Sequence, residues 1–418
     1  MIQHVFKLIK TQWKNNIWII LELFIVSALM WYIVDYFSVM LITSRIPLGF
    51  EIENTYAVKI AHYQSDNPNY IDYGEDSEEP ALNFLRIVDR IRNHSEIMDV
   101  SIGQWHYPYC SSNMTAGYRH DSLRVNARIL YVTPSYFEMF SVHPAAGGEP
   151  SLLGEALEHG VIISSGMEEA LFPGSHAAGQ TILTNDSTSS YRVSAVSVPL
   201  KNHRFSRRDN YIYFPFQEHT LMGMNEENIK DNTSITFRTR SGMNEKDFAS
   251  SFKAEMNTQL SIGNFYITGI IPISELRTLT LKADGVYESV QNRTGFTVFF
   301  LLNVFLGVIG TFWLRIKKRR EEIGLCIAVG SSRHQVMRQM MTESLGLLLI
   351  ALVPAIIIWG NLILVETLPV HTLGLTWQRF ALNSLFTILP LSLVIILATW
   401  YPAWRSASIQ PAEALHYE

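Results

Sequence analysis

Four polar side chains fall inside runs of sequence that are otherwise apolar: Glu22 and Asp35 in one run, Asn303 in a second, and Glu343 where a third begins. An ionised group at the centre of a hydrocarbon layer costs about 3 kcal/mol on insertion scales, so each needs a reason to be there. Glu22 stands about one helical turn inside one boundary of its run, and Asp35 stands near the other boundary. Each can snorkel to the headgroups, face a helix partner, or take part in a proton or substrate path. Glu343 can pair with Arg338 or Arg333, and Asn303 suits a hydrogen bond between helices. The usual catalytic spacings do not accompany them. There is no G-x-x-x-x-G-K-[ST] run, so the chain carries no P-loop of its own, and there is no H-E-x-x-H, C-x-x-C or G-x-S-x-G. His62, His94, His106, His120, His143, His159, His176 and His203 are scattered without metal-ligand spacing and read as surface or loop histidines. The sequence therefore offers no catalytic, cofactor-binding or metal residue. A membrane-embedded enzyme would have to work with Glu22, Asp35 or Glu343 alone.

The polar stretch with the most structure in its pattern is residues 315–344, RIKKRREEIGLCIAVGSSRHQVMRQMMTES. Arg315, Lys317, Lys318, Arg319 and Arg320 directly follow an apolar run that ends near Trp313, and such a cluster marks a cytoplasmic membrane exit. Glu321 to Gly330 suits a short helix that Gly330-Ser331-Ser332 stops and restarts. Ser332 to Met341 then suits a second helix leading into the next apolar run. An elbow this short is too small to be a domain and is shaped to be gripped by another polypeptide.

The elements that must position these residues follow from hydropathy. Of 418 residues, 48% are hydrophobic and 17% charged, but the averages hide apolar ends and an ordinary polar middle. Four runs are long enough to cross about 30 Å of hydrocarbon as helix: residues 17–40, 296–314, 345–364 and 380–400. Trp and Tyr sit at their ends (Trp13, Trp18, Trp313, Trp359, Trp377, Trp400, Tyr401), as interfacial belts do. Residues 1–16 alternate Val5, Phe6, Leu8, Ile9 and Trp13 with Lys7, Lys10 and Lys14, which suits an interfacial amphipathic helix. Basic flanks place the N-terminus, the 315–344 elbow and the 401–418 tail with its Arg405 on the cytoplasmic side. That leaves 41–295 and the short 365–379 loop outside. The net charge of −5 adds nothing to this, because orientation follows local Lys/Arg bias. Nothing points to nucleic acid as a partner.

The outer region alternates strand and helix patterns. A β-α-β-β start and a β-α-β end flank a piece of different character, about 133–230, so the region reads as one α+β unit with a second inserted in it. Ala81 to His94 carries helical apolar spacing at Leu82, Leu85, Val88 and Ile91. Ser65 to Pro80 is acidic and turn-rich, a loop. The basic stretch Lys201–Asp209, KNHRFSRRD, reads first as a solvated loop and second as a contact for acidic lipid or a partner. Cys110 lies outside and Cys326 inside on this topology, so they do not pair within a chain.

The run RREEIGLCIAVGSSRHQVMRQMMTESLGLLL resembles the signature of the FtsX-like permease domain of the MacB family, with Glu322-Ile323-Gly324, Ala328-Val329-Gly330 and Glu343-Ser344 at the matching places. The ending YPAWRSASIQPAEALHYE is similar to the family's, through Pro402-Ala403, Arg405, Ala407, Pro411 and Glu413-Ala414-Leu415. Val132–Pro150, Val161–Ile182 and Tyr191–Pro215 resemble the MacB-like periplasmic core domain. Where the family often carries a basic residue after Glu-Ile-Gly, this chain has Leu325, Cys326 and Ile327. The resemblance implies four transmembrane helices with an extracytoplasmic α+β domain between the first and second, in a bacterial inner membrane. It implies a separate P-loop ATPase that holds ATP and Mg, with no cofactor in this chain. The elbow would be a coupling helix: Ile323, Ile327, Val336 and Met337 as docking face, Arg320, Glu322 and Arg333 as polar rim, and Gly324, Ala328 and Gly330 shaping the turn. It further implies a homodimer or a heterodimer with a related permease, in contact with membrane lipid, and a periplasmic adaptor and outer-membrane channel as further partners. The expected function is mechanotransmission for export of envelope cargo or antimicrobial compounds. A signalling scaffold that regulates a cell-wall hydrolase and a lipoprotein-releasing permease are the alternatives.

Overall fold

A computed structural model of the chain describes residues 13–74, 77–104, 106–110, 114–240, 244–318, 325, 329–364, 374 and 376–407. The chain divides into two compact units: one combines the N-terminal 43 residues with Tyr287–Glu418, and the other is Ser44–Val286.

Helix α1 (Trp13–Arg45) opens the membrane unit. The second unit begins with β1 (Thr55–His62), α2 (Glu79–Arg92) and β2 (Ile97–Gln104). Next come β3 (Met114–His120), β4 (Leu123–Val132), α3 (Ser135–Met139) and α4 (Ser151–Leu157). They lead to β5 (Val161–Ser164), α5 (Ser165–Leu171), β6 (Thr181–Thr184) and β7 (Ser190–Ser197). A small hairpin, β8 (Leu200–Lys201) and β9 (Arg208–Asp209), precedes β10 (Tyr211–Pro215). The unit ends with α6 (Glu226–Asn232), β11 (Ser234–Thr239), α7 (Glu245–Met256), β12 (Phe265–Pro272) and α8 (Ile273–Ala283). The membrane unit resumes with α9 (Val286–Lys318), α10 (Arg333–Leu364) and α11 (Trp377–Ala407).

Ten strands form one continuous sheet, in the order β10-β5-β7-β6-β3-β4-β2-β11-β1-β12. β2, β11, β1 and β12 lie side by side, antiparallel throughout. Their helices α2 and α7 bury Phe84, Ile87, Val88 and Ile91, and Phe248, Phe252 and Met256, in one core with Tyr56 and Phe237. The α2 stripe has the 3-4-3 spacing of an amphipathic helix, but it falls on Phe84 and Ile87, with Leu82 and Leu85 half-buried beside it. Pro80 in the first turn and Arg90 and Arg92 in the last suit the helix ends. The other six strands of this sheet close into a ring. β4 pairs with β3 on one edge and β10 on the other, and β5, β7 and β6 complete the ring. Side chains alternate along β4, β5 and β10: Ala127, Ile129, Val161, Ile163, Ile212 and Phe214 join a core fed by all six strands and plugged by Met167 and Leu171. Leu130, Val132, Ile162, Tyr211 and Tyr213 face the opposite way, onto Tyr136, Phe137, Leu153 and Leu157 of α3 and α4. The end of β4 also meets β2, through Gly103 opposite Val132. A Cβ at Gly103 would lie 2.0 Å from the Tyr131 carbonyl oxygen, so this crossing needs glycine.

His106 departs from the surface role its sequence context suggests. It is fully buried, with Nε2 3.0 Å from Thr236 Oγ1 and Nδ1 3.0 Å from Ser234 Oγ. Burial pushes its pKa down to about 3, against the opposing pull of the Ser101 and Gly103 backbone.

The membrane unit packs by a repeating stripe from each helix: Ile19, Leu23, Val26 and Met30 of α1, Val304 and Val308 of α9, Leu348, Leu352, Ala355 and Trp359 of α10, and Leu391, Ile395 and Ala398 of α11. Alanines at 351, 355 and 398 let backbones approach closely, as in membrane bundles generally. Each of the four helices contains a stretch long and apolar enough to cross a bilayer: Asn16–Arg45, Val286–Thr311, Arg333–Leu362 and Trp377–Arg405.

The neutral form of His106 sets a pH dependence. Its folded pKa lies below the unfolded value of 6.5. The stability it contributes is therefore complete above pH 6.5 and declines as pH falls toward about 3. Thermal unfolding of the full chain in detergent at pH 7.5 and pH 5 should show a loss of about 2 kcal/mol that His106→Gln does not show. Parallel acid profiles for the two proteins would refute this.

Candidate functional site

Asp35, deep in α1 and 1% exposed as a side chain, meets two residues one turn apart on α11. Arg379 donates to both carboxylate oxygens, Nε to Oδ1 at 2.8 Å and Nη2 to Oδ2 at 2.6 Å. Asn383 Nδ2 adds a third bond to Oδ1 at 2.6 Å. This planar fork on a carboxylate is the strongest charge-assisted arrangement available to a side-chain pair. One turn away, Trp31 of α1 donates Nε1 to Ser384 Oγ (3.3 Å) and stacks on Trp359 of α10 with ring centroids 5.6 Å apart. One end of the bundle is thus tied across three helices. At the same end, the Arg293 guanidinium of α9 lies 3.8 Å from the centre of the Tyr36 ring.

Glu22 approaches α9 where that helix has no side chain. A Cβ at Gly307 would lie 2.5 Å from the Glu22 carboxylate. Glu22 Oε1 is buried with no hydrogen-bond partner among the described residues. Glu343 is buried on α10, and its neighbour Ser344 lies beside Thr399 of α11. Asn303 is exposed on α9, next to the bundle-facing Val304.

The elbow is described only in part: Arg320, Glu322, Ile323, Gly324, Ile327 and Ala328 lie outside the described residues, as does Cys326. Gly330 has φ +107°, a left-handed turn that favours glycine. Ser332 then caps α10 reciprocally with Gln335: the Ser332 N–H donates to Gln335 Oε1 at 2.8 Å, and the Gln335 N–H donates to Ser332 Oγ at 3.3 Å. Arg333 is exposed and Met337 half-buried, while Val336 and Met340 pack on Ala403 of α11. Nearby, Trp313 stacks with Tyr401 at 6.4 Å, and Arg405 stands 4.7 Å over the Trp313 ring.

Sequence reasoning missed Arg379 and Asn383 because Arg379 sat at the edge of an expected loop. The available signal was the Arg-x-x-x-Asn spacing at the start of the fourth apolar run, on the membrane side where Asp35 also lies. Gly307 gave no signal, since its role depends on where Glu22 reaches.

A family model described as the MacB-like periplasmic core domain matches residues 39–255, and one described as the FtsX-like permease C-terminal region matches residues 294–411. The macrolide export ATP-binding/permease protein MacB of Escherichia coli (strain K12) is 23% identical over 325 residues, 74% of this chain and 46% of the relative. The probable syringafactin export ATP-binding/permease protein SyfD of Pseudomonas syringae pv. tomato is 24% identical over 323 residues, 74% of this chain and 44% of the relative. The chain thus spans about half the length of these curated relatives. The crystal structure of the periplasmic region of MacB from Actinobacillus actinomycetemcomitans aligns at a TM-score of 0.33 and 13% identity, over 58% of this chain and 95% of that one.

A buried ion pair is costly to break from one side and cheap to replace whole. Asp35→Leu should therefore destabilise the chain by about 3–5 kcal/mol, and Asp35→Leu with Arg379→Met should recover most of it. Thermal melts of the two single variants and the double variant in detergent give the coupling, and additive losses would contradict the assignment.

Proposed function

Because the chain belongs to the family of FtsX-like permeases with a MacB-like periplasmic core domain, we propose that it is the permease subunit of an ABC-type exporter driven by a separate cytoplasmic P-loop ATPase. ATP and Mg would reside in that partner. The elbow between α9 and α10 would seat in a groove of the ATPase, with Ile323, Ile327 and Met337 as the apolar contact and Arg320, Glu322 and Arg333 as its rim. Val336, packed on Ala403, would instead brace the coupling segment from behind.

The observation that carries this reading is the start of α10. The second half of the elbow has no break before the span: a reciprocal cap at Ser332 opens one continuous helix to Leu364. A helix resists compression along its axis, so a push at Arg333 would be passed along α10, which carries Pro354 in its interior, toward the far side of the membrane. The charged side chains Asp35 and Arg379 lie toward one end of the bundle and Glu343 toward the other, with Leu352 and Ile395 packed between them. That distribution favours mechanical transmission to the external domain over a polar route through this subunit. The basic flanks at Lys7, Lys10, Lys14, Arg315 to Arg320 and Arg405 support cytoplasmic termini.

Exposed Phe299, Leu302, Asn303 and Leu306 on α9 would meet a second copy or a related permease. The relatives are named for export of a macrolide and of syringafactin, which supports export of envelope cargo or antimicrobial compounds as the function here. A periplasmic adaptor and outer-membrane channel would complete the route.

The test is charge insertion in the elbow. Ile323→Glu or Ala328→Asp should reduce ATPase stimulation in co-reconstituted vesicles to the level of the ATPase alone, with membrane insertion unchanged. Full stimulation by either variant would remove the coupling role.

A further inference from the structure

The basic stretch Lys201–Asp209 has no part in the reading above, and the structure ties it to a particular place. It forms the β8–β9 hairpin and its loop, with Leu200 opposite Asp209 and Lys201 opposite Arg208. The Lys201 N–H donates to the Leu48 carbonyl at 3.0 Å. Arg204 Nε donates to the Ser44 carbonyl at 3.2 Å, in the last turn of α1. On the other side, His203 Nε2 lies 3.7 Å from Asp284 Oδ2, two residues before α9 begins. The loop is thus fastened both where the chain leaves the first membrane-spanning helix and where it approaches the second. Both points fall in sequence at the edges of candidate membrane spans, Asn16–Arg45 and Val286–Thr311.

Its charge is unbalanced there. Arg204, Arg207 and Arg208 are exposed, as are Arg45 at the end of α1 and Lys282 at the end of α8. Two acids lie nearby, Asp209 at 3.6 Å from Arg207 Nε and Asp284 at 3.7 Å from the His203 ring, whose pKa burial lowers, and they offset only part of that positive charge. The Lys201 ammonium is pushed down to about 8, first by burial and then by Arg208 and Arg204, so the cluster repels further positive charge. Arg207 and Arg208 line an open cleft of about 480 Å³ with Arg128, Thr115, Asn126, Asn210 and one carboxylate, Asp209, so three guanidinium groups that suit phosphate oxygens outnumber the single acid.

We propose that Arg204, Arg207 and Arg208, with Arg45, form a binding surface for the phosphates of anionic phospholipids in the leaflet that faces the folded domain. It would hold the base of that domain at the membrane surface. The surface rests on the membrane-spanning assignment of α1 and α9 and is independent of the export reading.

The experiment uses the full chain in detergent micelles titrated with phosphatidylglycerol or phosphatidylcholine, with retained lipid read by native mass spectrometry. The parent should retain phosphatidylglycerol in preference to phosphatidylcholine. Arg207→Gln with Arg208→Gln should lower phosphatidylglycerol retention about fivefold or more, and the paired Arg→Lys variant should keep most of it. Lipid held by the basic run at 315–320 is common to all variants and cancels. Arg204→Gln should act in the same direction. If that variant unfolds for want of its Ser44 contact, the Arg207 and Arg208 pair, whose side chains make no such contact with α1, decides the matter. Unchanged phosphatidylglycerol retention in the Gln pair overturns the proposal. Displacement of the lipid by millimolar inorganic phosphate overturns it too, since the site would then be one for free phosphate.

Discussion

Hydrocarbon cannot solvate a charge, and the arrangement of the membrane unit follows from that. Asp35 is tolerable in α1 only because Arg379 and Asn383 bring three donors to one carboxylate. The requirement fixes more than one contact. Arg379 and Asn383 must share a face of α11, α11 must be turned so that this face meets α1, and Trp31, one turn from Asp35, then falls beside Ser384 and Trp359. The apolar stripes below fill whatever shape results. A buried ion pair contributes little net stability, but it penalises every other helix rotation, because each would strand a charge in lipid.

The extramembrane unit meets a different constraint, that of joining two cores without an open seam. β4 does this by joining the two parts of one sheet: it runs in the closed six-stranded ring, and its C-terminal end also meets β2 across Gly103. A ring removes the free strand edges that short strands such as β5 and β6 would otherwise present. The α3 and α4 helices cover the outward faces of β4, β5 and β10, and Tyr136, Phe137 and Tyr213 pack there in tilted and edge-on ring contacts. The two cores share a hydrogen-bond ladder as well as a linker, which suits a domain that would be moved as one piece.

Local pattern made much of this legible. The four apolar runs, the helix at Glu79–Arg92 and most strands announce themselves through periodicities that need only neighbours in sequence. The rest depends on partners far away in the chain. Asp35 and Arg379 are 344 residues apart, and nothing at Asp35 says which cation it will meet. His106 looked like a loop histidine because its burial comes from Ser234 and Thr236 on a strand that returns 128 residues later. The ring closes through β4 and β10, parallel and separated by five intervening strands, a pairing that no hairpin signal foretells. Gly307 is legible only once Glu22 is in place against it.

Two helices, α1 and α9, link the membrane unit to the folded domain, and they are not independent of each other. Glu22 lies in the gap left by Gly307 near one end, and Arg293 covers Tyr36 near the other. α10 and α11 form their own pair, joined at Val336, Met340 and Ala403. Among the described residues, the Asp35–Arg379 bridge ties the two pairs by charge. A displacement entering at the cap of α10 would therefore reach α1 by two routes, the Trp359–Trp31 stack and the ion pair on α11. Apolar stripes can slide past one another at small cost, whereas a bidentate ion pair cannot slip without breaking. If this permease works by transmitting motion, the Asp35–Arg379 pair is the linkage that would keep the domain-bearing helices in step with the pair that receives the push.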